Sequence, residues 1–107
     1  MVTIDDFASL EFKVGTVLEV EEIEGSENLL KLLVDLGEEE PRQVLSGIKL
    51  HYRPEDIRGK QFVFITNLEP RKMMGLESQA MIMAADASED VVLLVPQKEV
   101  PPGSKIR

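Results

Sequence analysis

The fold class follows from one stretch of the chain, which reads Leu29-Leu30-Lys31-Leu32-Leu33-Val34-Asp35-Leu36-Gly37-Glu38-Glu39-Glu40-Pro41-Arg42-Gln43-Val44-Leu45-Ser46. The apolar residues from Leu29 to Leu36 predict a strand. Residues 37–41 begin with glycine and end with proline, which predicts a turn. The turn leads into another predicted strand, Arg42 to Ser46. Strands joined in this way form part of an antiparallel β-meander.

Strand and helix patterns flank this stretch on both sides. Upstream, apolar residues alternate from Phe12 to Val20, which predicts the first strand, and Gly15 inside it predicts a bend or bulge. Downstream, Arg53 to Gly59 has proline where a first helical turn starts and glycine past its end, which predicts one short helix. Two further strands are predicted at Gln61 to Leu68 and Ser78 to Ala85.

Both ends of the chain carry additional apolar residues. Thr3 followed three residues later by Asp6 is typical of a helix N-cap, and apolar residues then recur at helical spacing up to Leu10. We therefore expect a short N-terminal helix that plugs one end of the core. Near the C-terminus, an apolar run from Val91 to Val95 precedes a tail that is rich in proline.

The order of these elements predicts an all-β fold with three strands, a short helix, two more strands and a C-terminal extension. This order suits a five-stranded Greek-key barrel of the oligonucleotide/oligosaccharide-binding (OB) type with short helices. A small β-sandwich would give much the same pattern. At 107 residues the chain is long enough for one core but not for two, so residues 1–107 are predicted to be a single domain.

The composition is that of a folded protein, with 43% hydrophobic and 30% charged residues. There is no cysteine, which excludes disulfides and thiolate metal sites and fits a reducing compartment. The N-terminal residues turn acidic at Asp5 and Asp6, without a signal region, and no apolar run approaches the roughly 18 residues that span a bilayer. We expect a cytoplasmic protein with no membrane partner.

Charge is distributed unevenly along the chain, whose net charge is −8. Residues 1–40 carry 2 basic and 12 acidic side chains, residues 41–73 carry 7 and 3, and residues 74–107 carry 3 and 5. The acidic total argues against a nucleic-acid partner, because phosphate binding depends on a basic face. The basic middle segment supplies such a face only if the fold brings its side chains together.

Catalytic motifs are absent from the sequence. The single histidine, His51, has no partner at a spacing typical of a metal or acid-base site. No glycine-rich phosphate loop follows a strand, and no serine lies in a nucleophile-elbow motif. The glutamates at positions 38–40 are expected to be solvated. We therefore expect no catalytic residue, no metal ion and no cofactor.

Four spaced motifs resemble one known family. In chain order they are Phe12-Lys13-Val14-Gly15, then Val34-Asp35-Leu36-Gly37 followed by Arg42-Gln43-Val44-Leu45-Ser46-Gly47-Ile48, then Asn67-Leu68-Glu69-Pro70-Arg71-Lys72-Met73, and finally Gly75-Leu76-Glu77-Ser78-Gln79-Ala80-Met81. Together they resemble the tRNA-binding domain that is appended to many methionyl-tRNA synthetases, forms a separate β subunit, or occurs as a free-standing dimeric tRNA-binding protein. The resemblance covers residues 6–107.

The resemblance implies a non-catalytic, sequence-tolerant tRNA-binding module that supports aminoacylation by a methionyl-tRNA synthetase in cis or in trans. The implied partners are tRNA, a second copy of this chain as a homodimer, and the catalytic chain of the synthetase. The chain departs from the family in two places. Residues 23–28 replace a common His-Pro-x-Ala-Asp-Lys segment, so that Asn28 stands where lysine is frequent, and Ala80 replaces the glycine of a common Ser-x-Gly-Met.

Sequence-tolerant RNA binding requires cations for phosphates, polar groups for sugars and base edges, and adaptable apolar surface for bases. The candidate residues of these kinds lie on or beside the later strands and the loop between them: Arg42, Ser46, Asn67, Arg71, Lys72, Ser78 and Met81. Structural roles stay open for several of them. Asn67 and Ser78 can satisfy backbone groups, Met81 can fill the core, and Arg71 and Lys72 can simply be solvated.

Two other functions fit the sequence. CsaA-type export chaperones, which bind unfolded polypeptide, resemble this chain in length, in the opening helix and in a tail similar to residues 90–96. A domain that only dimerises fits the acidic charge. A homodimer is expected because Val91 to Val95, Phe7 and Leu10 have few places to be buried in an isolated barrel, and exposed apolar patches usually mark contacts.

Overall fold

The computed structural model describes all 107 residues and contains nine strands and two short helices. Thr3 caps the first helix, because its hydroxyl accepts a hydrogen bond from the Asp6 amide at 3.1 Å, and Pro54 begins the second. Neither helix has the length and apolar character needed to cross a membrane. The elements in chain order are α1 (Ile4–Ala8), β1 (Phe12–Glu22), β2 (Leu30–Asp35), β3 (Arg42–Ser46), α2 (Pro54–Ile57), β4 (Gln61–Ile65), β5 (Arg71–Met73), β6 (Leu76–Ser78), β7 (Met81–Ile82), β8 (Ala84–Asp86) and β9 (Val91–Leu93).

Five strands form one antiparallel sheet in the order β3-β2-β1-β4-β7. β1 is its centre, because its first half pairs with β4 and its second half pairs with β2. The register with β2 shifts between Val17 and Glu19, so the β-bulge lies beyond Gly15, where the sequence had predicted a bend. At Gly15 a Cβ would lie 2.6 Å from Val34 Cγ1, so this glycine allows β1 to pack closely against the core.

The sheet curls until its two edges, β3 and β7, lie beside each other. The residues that lead into β7 bond to β3: the Gln79 amide donates to the Gln43 carbonyl and the Gln43 amide to Gln79 Oε1, both at 2.8 Å. The Leu45 amide donates to Ser78 Oγ at 2.9 Å. These bonds nearly close the barrel, which confirms the predicted all-β fold of the OB type and excludes the sandwich.

The core of the barrel contains apolar side chains from all five sheet strands, from α2 and β9, and from the segments between them. Ile57 of α2 is fully buried in it. Burial of this kind supplies most of the free energy that favours folding. The largest fully buried side chains are Phe64, Leu30, Leu32, Leu36, Ile57, Val17, Val34 and Val44.

Helix α1 does not plug the core, contrary to the expectation from its apolar spacing. None of its residues is buried, and Phe7 instead stacks on Phe12 with the ring centroids 5.9 Å apart. The five-residue helix lies at the surface, where its apolar side chains line a depression together with the C-terminal extension. The helix that packs into the core is α2.

The predicted strand from Ser78 to Ala85 is divided among three elements, β6, β7 and β8. The alternation of buried and exposed residues persists through Ile82, but the paired strand changes, because β6 pairs with β5, β7 with β4 and β8 with β9. Periodicity indicates which face is buried and carries no information on which strand is adjacent. The sequence also overestimated the length of β4, which ends at Ile65 and not at Leu68.

The C-terminal extension runs along the first half of β1. The Gly103 amide donates to the Val14 carbonyl at 2.7 Å, the Val14 amide donates to the Ser104 carbonyl at 2.9 Å, and the Ile106 amide donates to the Phe12 carbonyl at 2.9 Å. The extension thus satisfies backbone groups that β1 would otherwise present as a free edge.

Candidate nucleic-acid interface

Between β4 and β7 the chain leaves the barrel as a hairpin that the sequence did not predict. β5 and β6 pair from Arg71 opposite Ser78 to Met73 opposite Leu76. The two turn residues, Met74 and Gly75, have φ values of 53° and 76°, the positive values of a type I′ turn. OB folds bind ligands partly through the connection between their fourth and fifth strands. β4 and β7 hold these places in the barrel, so the hairpin lies where a ligand is expected.

A groove of about 380 Å³ lies between the hairpin and the end of β3, and we call it the hairpin groove. Residues 45–47 form one wall, residues 68–73 contribute another, and the chain from Ser78 to Ile82 lies between them. Of the seven candidate residues, the fold brings four together here: Ser46, Arg71, Ser78 and Met81. The other three, Arg42, Asn67 and Lys72, do not line the groove.

Most cations of the basic middle segment have a carboxylate within 4 Å. Its side chains without a carboxylate within 4 Å are Lys60, Arg71 and Lys72, of which the last two belong to the hairpin. The cations of this segment that lie free of carboxylates are therefore limited to the hairpin and to Lys60, which directly precedes β4. The ion pairs are Arg42 with Glu38, Lys49 with Glu22, Arg53 with Glu55 and Asp56, and Arg58 with Glu19.

Arg71 and Lys72 are not equivalent. Successive side chains of a strand point to opposite faces, and Arg71 is the one that lines the groove. Lys72 is paired across the hairpin with Glu77, whose charge opposes the attraction of Lys72 for an anion. A ligand in the groove therefore meets Arg71 first, while Lys72 is reached from the other face.

The apolar part of the groove includes Met81, which is 47% exposed, so this residue does not fill the core. Leu68, similarly exposed, lines the same groove. Flexible apolar side chains can adapt to an irregular or flat ligand surface. No aromatic side chain lines the groove, so contact with a base would rest on methionine and leucine.

Arg42 bonds to the protein itself. Its Nε and Nη2 donate to the two carboxylate oxygens of Glu38 at 2.8 and 2.7 Å. Its Nη1 donates to the carbonyl oxygens of Thr66 at 2.6 Å and Gln79 at 3.1 Å. Four of the five guanidinium donors are therefore occupied, and the hydrogen bonds to Glu38 raise the pKa of Arg42.

Asn67 and Ser78 both bond to the backbone. Asn67 Oδ1 accepts from the Glu11 amide at 2.8 Å, and its Nδ2 donates to the Ser9 carbonyl at 2.7 Å. Ser78 is 6% exposed, and its hydroxyl accepts from the Leu45 amide and donates to the Ala80 carbonyl, both at 2.9 Å. These two residues fix the ends of the segment that carries the hairpin.

Two carboxylates beside this network are stabilised in the charged form. The hydrogen bonds from Arg42 lower the pKa of Glu38. A hydrogen bond from the Thr66 hydroxyl at 2.6 Å, with help from the nearby Lys13, lowers the pKa of Glu11. Both groups are therefore ionised at neutral pH and strengthen the contacts between β1, the turn after β2, and the start of the hairpin segment.

Two other depressions of the surface carry carboxylates and suit a polyanion less well. One of about 170 Å³ on the outside of β1 to β3 is lined by Glu19 and Glu21, and its Lys31 is held 2.9 Å from Glu21. Another, beside the tip of the hairpin, is lined by residues 25–28, which include Glu27 and no cation. Carboxylates at these places repel phosphate.

A nearly closed five-stranded barrel with an open groove beside its fourth-to-fifth strand connection defines an OB-type binding module. Residues 12–105 match the family described as "Putative tRNA binding domain". The chain belongs to this family, which confirms the resemblance found in the sequence motifs. Because the family is a binding domain, the match also confirms the expectation of an accessory, non-catalytic module.

Similar proteins include the methionine–tRNA ligase of Methanothrix thermoacetophila, which is 50% identical over 107 residues. That alignment covers 100% of this chain and 16% of the ligase, so the chain spans about a sixth of the length of this relative. The structure of the MetRS-related protein from Pyrococcus horikoshii is similar over 100% of this chain and 98% of that one, with 37% identity and a TM-score of 0.93. The chaperone CsaA from Bacillus anthracis str. Ames is similar over 100% and 99%, with 35% identity and a TM-score of 0.90.

The residues that the sequence interpretation missed are those that form the hairpin and support Arg42. A glycine at the second turn position is a hairpin signal, but Met74 stands where Asn or Asp usually accompanies it. Glu38 was treated as a solvated residue of an acidic turn. Glu38 lies four residues before Arg42. This spacing predicts a side-chain ion pair only within a helix, so the sequence did not predict the bidentate pair that the structure contains.

Proposed function

We propose that this chain binds tRNA through the hairpin groove, without sequence specificity, and that it takes no part in catalysis. The single observation that carries the proposal is the placement of an unpaired cation, Arg71, beside exposed Met81 and the Ser46 hydroxyl, in a domain of the tRNA-binding family. A phosphate at Arg71 places the adjoining nucleotide in contact with the apolar wall.

The chemistry of the groove favours sequence-tolerant binding. Arg71 recognises charge, while Met81 and Leu68 contact the face of any base, because every base has an apolar face. The acidic side chain in the groove, Glu69, and the acidic surface elsewhere limit purely electrostatic affinity. Lys72 adds attraction from the outer face of the hairpin. Binding therefore depends on shape and on a small number of phosphate contacts.

The proposed biological role is support of aminoacylation by a methionyl-tRNA synthetase, in cis or in trans. A tRNA held by this module meets the catalytic chain at a high effective concentration when the two are joined or associated. The partners are then tRNA and, in trans, the catalytic chain. This role belongs to the cytoplasm, where tRNA is charged, and needs no membrane, metal or cofactor.

A homodimer forms part of the proposal. Phe7 and Leu10 are partly exposed, and with Ile4 and Ile106 they line a mostly apolar depression of about 260 Å³ between α1 and the C-terminal extension. Val92, Leu94 and Val95 are exposed on the β9 side. A second copy would cover such apolar surface and place two grooves on one particle. Sedimentation should show twice the 12.0 kDa mass of the chain, and a 12.0 kDa species at micromolar concentration would contradict it.

Binding of unfolded polypeptide is the second candidate function. It is favoured by the apolar lining of the groove, which includes Leu68, Met73 and Met81, and by the similarity to the chaperone CsaA. Exposed methionines are typical of surfaces that accept many peptide sequences. This function needs the apolar wall but has no need of Arg71.

A titration with bulk tRNA, repeated across salt concentrations and with an unfolded polypeptide as competitor, separates the two functions. We expect tRNA binding that weakens as salt rises and that the polypeptide does not displace. Binding of the polypeptide with no measurable binding of tRNA would overturn the proposal in favour of the chaperone function.

A further inference from the structure

The hairpin belongs to a segment that leaves the barrel at the end of β4 and returns before β7. The segment starts after Thr66 and ends at Gln79, and the carbonyl oxygens of both residues accept hydrogen bonds from one nitrogen, Nη1 of Arg42, at 2.6 and 3.1 Å. A single side chain from β3 therefore ties together the two points between which the hairpin projects.

Glu38 holds the guanidinium in the orientation that this contact requires. Its two carboxylate oxygens accept from Nε and Nη2 of Arg42 in a bidentate pair, which fixes the guanidinium plane. Glu38 lies in the acidic turn between β2 and β3. Its neighbours Glu39 and Glu40 are exposed and form no ion pair, so only the first of the three glutamates contributes to this contact.

We propose that Arg42, oriented by Glu38, is a positioning residue that sets the place of the hairpin and thereby the shape of the hairpin groove. The effect on RNA rests on the proposed function of that groove. Glu38, an acidic residue, would then support the binding of a polyanion. Lysine cannot replace Arg42, because one ammonium group lacks the planar fork that joins a carboxylate and two carbonyls.

Loss of this contact shifts the hairpin without unfolding the barrel. Asn67 and Ser78 hold the same segment to residues 9, 11 and 45 through three other hydrogen bonds of 2.7 to 2.9 Å, and the core does not include Arg42 or Glu38. Conservative variants at the two positions are therefore expected to fold. Thermal unfolding of the variants and of the parent is measured before any binding experiment and shows whether the variants are folded.

The test compares Glu38→Gln and Arg42→Lys with the control Glu39→Gln in titrations with bulk tRNA. On charge alone, removal of a glutamate strengthens binding to a polyanion, and Glu39→Gln should bind as tightly as the parent or more tightly. Glu38→Gln should instead bind about three- to tenfold more weakly, as should the charge-conserving Arg42→Lys. The dependence of their affinity on salt should match the parent, because no phosphate contact is lost.

Hydrogen exchange of the free protein tests the positioning role without RNA. Amides of residues 71–78 should exchange faster in Glu38→Gln and Arg42→Lys than in Glu39→Gln, while amides of β1 and β2 stay unchanged. Parent-like exchange in the hairpin, together with tRNA binding by Glu38→Gln as tight as that of Glu39→Gln, would overturn the proposal. If the parent itself does not bind tRNA, the proposed function fails, and hydrogen exchange alone still decides the role of Arg42.

Discussion

Gly103 and Gly37 contact each other through their backbones, at φ values of +89° and +77°. A Cβ on Gly103 would lie 3.0 Å from Gly37 Cα, and a Cβ on Gly37 would lie 2.6 Å from the Pro102 carbonyl oxygen. Positive φ favours glycine, and the close approach leaves no room for a Cβ. The contact seats the C-terminal extension against the turn that follows β2.

Gly103→Ala should lower the free energy of unfolding by about 2–4 kcal/mol, because left-handed backbone strain adds to a clash with fixed backbone atoms. Gly59→Ala is the matched control. Its φ is +81° but nothing lies within 4 Å, so we expect only the strain, about 1–2 kcal/mol. Urea denaturation measures both values, and equal losses would show that the contact between the glycines contributes nothing.

Asn67→Ala should destabilise the protein by about 1–3 kcal/mol, since it removes two hydrogen bonds that join the hairpin segment to residues 9 and 11. The salt dependence of tRNA binding should not change. Asn28→Ala serves as the control, because its only side-chain hydrogen bond is an exposed one to Ser26. A lower salt slope in Asn67→Ala with parent-like stability would indicate a direct RNA contact.

The fold was predictable because its signals are local. The alternation in β1, the turn after Leu36 and the Pro54 helix start each depend on a few neighbouring residues, and all lie close to the predicted positions. The failure at α1 has a physical reason: helical spacing indicates an apolar face but does not say what covers it. The division of the strand from Ser78 to Ala85 reflects a change of neighbour, which periodicity does not encode.

The candidate site was predictable only in part. Residue type pointed to Arg71 and Met81, which the fold does bring together in the groove. Residue type indicated Arg42 equally, but the guanidinium of Arg42 forms an ion pair with Glu38 in the turn before β3. Whether a cation is free depends on which carboxylate lies within about 4 Å of it, and that is a property of the folded chain.

The stability of the protein should fall as the pH drops below the ordinary range of a carboxyl group. Glu38 and Glu11 have lowered pKa values in the folded state, owing to Arg42 and Thr66 respectively, so the unfolded chain binds more protons there. Their contribution to the free energy of unfolding is complete above the pKa that these groups have in the unfolded chain. It is lost as the pH falls through the lower pKa that they have in the folded state. Urea midpoints between pH 7 and 3 should decline less steeply in the double variant Glu11→Gln/Glu38→Gln. Parallel curves would contradict this assignment.

Met81→Ala should weaken tRNA binding about fivefold at every salt concentration, because it removes roughly 1 kcal/mol of apolar contact and no charge. Met81→Leu should bind like the parent. Met74→Ala is the control, since Met74 is also exposed but lies at the hairpin tip, outside the groove. Equal losses in Met74→Ala and Met81→Ala would show that the groove is not the specific contact.

The proposed tRNA binding depends most on a phosphate contact of Arg71 in the hairpin groove, with added attraction from Lys72 on the outer face of the hairpin. The decisive measurement is the slope of log affinity for bulk tRNA against log salt in Arg71→Ala/Lys72→Ala. Its control is Lys60→Ala/Lys98→Ala, which removes two other unpaired cations that line a separate depression at the far end of β4. We predict a slope reduced by about one to two units in the hairpin variant, with all tRNAs weakened alike, and a parent-like slope in the control. A hairpin variant that binds tRNA with the affinity and salt slope of the parent would show that the hairpin cations do not contact phosphate.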